Sequence, residues 1–110
     1  MASSREYLTF VLDQLSGLDG ITHRAMMGEF ILYDRGKIIG GIYDDRLLVK
    51  PTKSARAMMP DAPLELPYEG TKEMLLVENV EDRAFLTALV EAMYAELPAP
   101  KTPKSRKQKT

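Results

Sequence analysis

The 110-residue sequence predicts an α+β domain, a two-layer α/β sandwich in the order α-β(3)-α-β(2)-α with a mostly antiparallel five-stranded sheet. Three observations carry that reading. Segments near both ends repeat apolar residues at three- and four-residue spacing, the period of an amphipathic helix. Between them, short apolar runs are separated by turns of a few residues, a connection that antiparallel neighbours share and parallel strands do not. At 45% hydrophobic residues the chain can build one core and is too short for two ordinary domains.

The first helix opens "SSREYLTFVLDQLSG". Ser3 or Ser4 can cap it, Glu6 lies in its first turn, and Leu8, Val11, Leu12 and Leu15 form the stripe. Gly17 marks the stop. From Ile21 to Met27 the chain begins an extended segment that Gly28 bends or bulges. "EFILY", "IIGGIY" and "LLVK" then read as strands joined by the turns "DRGK" and "DDR". Pro51 closes this meander, having no N–H for a ladder. "TKSARAMM" reads as a short helix capped by Thr52 and stopped by Pro60, and "LELPY" and "KEMLLVE" as two further strands around "EGT". The last helix is capped by Asn79, has Glu81 and Asp82 at the positive end of its dipole, and aligns Phe85, Leu86, Leu89, Val90, Met93 and Leu97. Pro98 and Pro100 end it.

One feature of the strands does not fit a sheet covered on one side only. If Phe30 and Leu32 point at the helices, Ile31 and Tyr33 point away, and Leu47 and Val49 oppose Leu48 in the same manner. One-sided burial calls for polar residues at those outward positions. Two explanations stand: the second face is covered by loops and strand twist, or it forms an interface, most simply with a second copy. On the second, Ile31, Tyr33 and Leu48, with Met26 or Met27, are the contact residues.

The chain has no cysteine, which removes disulfides, thiolate metal sites and a Cys nucleophile and fits a reducing, cytoplasmic setting. No apolar run approaches the roughly 18 residues of a membrane span. The net charge of −1 conceals an asymmetry: "PAPKTPKSRKQKT" carries five Lys/Arg and no acid, leaving ten basic against sixteen acidic residues in 1–97. The division is therefore a folded domain at 1–97 and a basic tail at 98–110, too poor in apolar surface to offset the entropy of ordering. Lys101, Lys104, Arg106, Lys107 and Lys109 are candidates for sequence-independent nucleic-acid binding, though the tail offers no aromatic residue for base stacking.

Other chemistry is sparse. His23 is the sole histidine and lacks a second histidine or any cysteine to build a zinc site with; it reads as a partly exposed residue at a strand start. Asp44 and Asp45 have the composition of a turn, where their side chains bond nearby N–H groups. "RGKIIGG" lacks the order of a phosphate loop; Gly36 suits positive φ in a hairpin, and Gly40 and Gly41 suit a bulge or a close backbone approach. Met26-Met27 and Met58-Met59 read first as core filling, with one member of each pair free for a contact. These residues suggest no catalytic site, cofactor, metal or small-molecule substrate.

Taken together, "RAMMGEFILYDRGKIIGGIYDDRLLVK", the short helix, "LPYEGTKEMLLVE" and the acid-capped last helix resemble the N-terminal domain of the TfoX/Sxy family of bacterial competence regulators. The resemblance spans roughly 4–97 and rests on Gly28, the "DRGK" turn, "DDRLLVK" and the "PY" before the penultimate strand. It implies a fold similar to type III secretion chaperones and a regulatory, protein-binding role. Full-length members add a helical C-terminal domain and act on competence genes alongside the cyclic-AMP receptor protein. The resemblance supplies no active-site residues.

Overall fold

In a computed structural model that describes residues 4–67 and 70–98, the order is α1 (Arg5–Gln14), β1 (Ile21–Met26), β2 (Glu29–Asp34), β3 (Lys37–Tyr43), β4 (Arg46–Val49), α2 (Lys53–Met58), β5 (Leu64–Glu65), β6 (Met74–Leu76) and α3 (Arg83–Tyr94). The strands form one antiparallel sheet ordered β1-β2-β3-β4-β6-β5. The α+β class stands, with six strands where the sequence predicts five. The additional strand is β1. Gly28 does not bulge it; Met27 and Gly28, at φ 53° and 86°, form a two-residue turn of the type I′ kind whose twist matches paired strands.

The same device joins the next two hairpins. Arg35-Gly36 has φ 50° and 85°, and Asp44-Asp45 has φ 55° at both residues. Two-residue turns fix register, so the pairing Phe30↔Ile42↔Leu47 and Leu32↔Gly40↔Val49 carries one continuous row of side chains toward the helices. Those residues join Leu8, Val11 and Leu15 of the α1 segment, Leu75 and Val77, and Leu86, Leu89, Val90 and Met93 of α3 in a single core. Each fully buried leucine contributes about 1.5–3 kcal/mol relative to an exposed one. Met58 and Met59 pack against this core, as the gap-filling reading expects.

Caps set the helix ends. The Ser4 hydroxyl accepts from the Tyr7 N–H at 3.1 Å, and Thr52 accepts from the Ala55 N–H at 3.1 Å. α3 is capped by Asp82, accepting from the Phe85 N–H at 3.0 Å, three residues later than the Asn79 cap expected. Asn79 instead closes a preceding turn, its carbonyl accepting from the Asp82 N–H, while Val80 packs on the core. β5 is cut to two residues because Pro63 and Pro67 flank it and cannot donate to a ladder. Among the described residues no helix is long and apolar enough to cross a membrane.

Candidate functional site

The three helices cover one face of the sheet, and the register assigns every strand residue to a side. Toward the helices point Phe30 and Leu32; away from them point Ile31 and Tyr33, paired with Arg24 and Thr22 of β1. Gly41, Leu48 and Leu76 continue this outer row across the sheet.

The outer face divides into two halves that behave differently. Toward β3 and β4 it is closed over Tyr43 and Leu48 by the chain itself, while Leu76 of β6 is half-buried. Leu48 is 0% exposed and Tyr43 is buried, its ring so close over Gly41 that an added Cβ would stand 2.7 Å from it. Arg46 ties the following segment down across this side, pairing with Glu65 at 2.6 Å and donating to the carbonyls of Leu66 (3.3 Å) and Pro67 (3.5 Å). Pro67 is buried as a result. Leu48 is thereby removed from the expected contact set: a side chain already enclosed by its own chain has no surface to offer a partner.

On the β1–β3 side the face is open. Ile31 and Tyr33 are half-buried, and Ile38, which pairs with Tyr33, is 40% exposed. Ile38 was not among the residues expected here. The ladder shifts register between Leu32 and Tyr33, and the extra residue, Ile39, is buried in the core while Ile38 stays on the outer side. Strict alternation in "KIIGGIY" does not reveal this. Met26 is half-buried beside Glu29, whereas Met27 is 95% exposed at the tip of its turn. The patch therefore unites Ile31, Tyr33 and Ile38, with Met26 at its margin and Met27 apart from it.

Several charged groups make contacts across elements elsewhere in the fold. Asp34 is 1% exposed and takes two bonds from Arg35, both 3.1 Å, which hold the Arg35 guanidinium above its ordinary pKa. Lys37 donates to the Tyr94 carbonyl at 3.0 Å. Tyr7, near the Asp44-Asp45 turn, is raised by burial and then by the Asp45 charge, and Ser4 donates its N–H to Asp45 at 2.8 Å. His23 is exposed in the middle of β1, its ring edge-on to Phe30 with centroids 6.3 Å apart. Among the described residues no group of three or more His, Cys, Asp or Glu could hold a metal ion. Lys101, Lys104, Arg106, Lys107 and Lys109 lie outside the described residues.

Comparison with known proteins gives two matches. A protein from Spirochaeta aurantia, described as an uncharacterized 12.7 kDa protein in the trpE 5′ region, is 34% identical over 111 residues, spanning 100% of this chain and 96% of that one. No solved structure matches. The TfoX N-terminal domain family matches residues 13–98, from the end of α1 through α3. Helices on one side of a hairpin-built sheet, together with that match over most of its length, show that the chain belongs to the TfoX N-terminal domain family.

Proposed function

We propose that this chain is a cytoplasmic, non-catalytic regulatory domain of the TfoX/Sxy type that works by binding protein, a second copy of itself first, and so contributes to transcriptional control. The supporting observation is the contiguous patch Ile31, Tyr33 and Ile38, left open on a face where Tyr43 and Leu48 are enclosed. Apolar residues that a chain encloses on one half of a face and exposes on the other mark a place for a partner. Truncating one such side chain in a formed contact removes about 1–3 kcal/mol, or roughly fivefold to over a hundredfold in dissociation constant.

Light scattering over a concentration series tests this on the full chain and on Tyr33→Ala. A wild-type dimer that Tyr33→Ala weakens, with unchanged circular dichroism, is the expected result. A wild type that stays monomeric throughout, or a dimer indifferent to Tyr33→Ala, would count against the patch.

The charge asymmetry favours a second reading, sequence-independent binding of nucleic acid by the basic tail. About five phosphate contacts at most give a weak and steeply salt-dependent affinity. Deleting residues 99–110 should abolish it; binding that survives the deletion excludes the tail as its source.

A further inference from the structure

The two edges of the sheet are built in opposite ways. β5 has two residues, bracketed by Pro63 and Pro67, and this is how proteins protect an edge from pairing. β1 has six residues in unbroken register with β2, no proline, no lysine, no bulge, and among the described residues nothing on its outer side. Thr22, His23, Arg24 and Ala25 are all exposed, so the helices stop short of this strand.

The hydrogen-bond phase of β1 follows from the turn at its end. Met26 and Glu29 close a two-residue hairpin and exchange backbone bonds, and bonded pairs then recur at every second position. Arg24–Ile31 and Thr22–Tyr33 are bonded, and the Arg35 N–H donating to the Gly20 carbonyl at 2.8 Å continues the same series. The N–H and C=O groups of Ile21, His23 and Ala25 consequently point away from β2, toward open solvent.

Resting on the reading that the chain self-associates, we propose that its occupant is a second copy, added antiparallel along β1 about a two-fold axis at His23. That register places His23 opposite His23 of the second copy and Ile21 opposite Ala25. All three outward residues are paired in both copies, with up to about six backbone bonds; a centre at Thr22 or Arg24 would leave outward groups unpaired. On the outer side, Thr22 then faces Arg24 of the second copy. Threonine is short, so that arginine extends over it toward Tyr33, which is paired with Thr22 in the same row. The open patch and the free edge thus belong to one surface, and an arginine over the Tyr33 ring joins them. The two sheets become one continuous twelve-stranded sheet with helices on the same side.

Amide hydrogen exchange on the wild-type chain, above and below the concentration at which scattering shows dissociation, reads the edge directly. The amides of Ile21, His23 and Ala25 should slow about tenfold or more in the dimer and become fast on dilution, while those of Thr22 and Arg24 stay protected throughout. His23→Pro removes an outward N–H only and should leave a folded monomer. A dimer in which the three amides exchange fast, or one that His23→Pro leaves intact, overturns edge pairing and keeps self-association. A chain that is monomeric at every concentration overturns both. Three amides protected in the monomer would mean that the chain covers its own edge, by the basic tail if deletion of 99–110 frees them, and overturns the proposal.

Discussion

The guanidinium of Arg35 lies 3.7 Å from the centre of the Tyr94 ring, while its nitrogens hold both oxygens of Asp34. Lys37 approaches the same ring at 4.1 Å. The turn between β2 and β3 is thereby fastened to the last residue of α3, and a carboxylate that is almost wholly buried keeps its counter-charge. Tyr94→Leu should cost about 1 kcal/mol by removing the ring from both cations. Arg35→Ala should lower the melting temperature further, because it leaves Asp34 buried without its ionic partner. Thermal unfolding of both variants checks the order; equal losses would mean that the ring, and not the ion pair, is what matters.

Gly40 marks the closest backbone approach in the sheet. A Cβ there would stand 2.1 Å from the Leu48 carbonyl oxygen and 2.7 Å from the Val49 Cα, both main-chain atoms that cannot swing aside. Gly41 meets the Phe30 carbonyl at 2.6 Å and the Tyr43 ring. Gly40→Ala should therefore destabilise by about 2 kcal/mol or more, as strand separation or overpacking does. Gly17→Ala, with nothing within 4 Å, should stay within about 0.5 kcal/mol of wild type. Urea titration of the two variants decides it.

The helices and the turns after β2 and β3 are legible in the sequence because each is written locally. Leu8, Val11 and Leu15 share one period, and "RG" and "DD" are turn pairs on inspection. β1 is not legible as a full strand: "ITHRAM" has no apolar alternation, with His23 on one side and Thr22 and Arg24 on the other, and its middle four residues are exposed at an edge. The outer-face alternation holds at Ile31 and Tyr33, whereas Leu48 on the same face is enclosed. Its enclosure accompanies contacts distant in sequence, such as Arg46 reaching residues 65–67, which no local pattern reports. The side that Ile38 takes is equally hidden from local pattern, since a register shift between β2 and β3 decides it.

Met27 is a non-glycine residue at φ 53° with its side chain 95% exposed, in a turn position that asparagine or glycine occupies with less strain. Met27→Asn creates the favoured Asn-Gly pair and should stabilise the fold by about 1 kcal/mol. The side chain stands apart from the open patch, so self-association should be unchanged. Denaturation combined with light scattering on this one variant separates the two effects. A more stable chain that no longer associates would return Met27 to the contact.

Glu96, just beyond α3, accepts from the Ser54 N–H at 2.9 Å and from its hydroxyl at 2.6 Å, at the start of α2. The hydroxyl bond and then the backbone bond hold its carboxyl below the usual 4.5. A carboxylate whose folded pKa is depressed adds stability that is fully present above its unfolded pKa. That stability is lost as pH falls through the folded value, because the unfolded chain takes up the proton first. Wild-type stability should therefore decline from about pH 4.5 downward through this group. Glu96→Gln should be less stable than wild type at neutral pH and should converge on it as the pH falls. Paired unfolding curves between neutral pH and the acid limit of folding provide the check; a constant loss across that range would show that the Glu96 charge contributes nothing and that an amide simply makes the bonds to Ser54 less well.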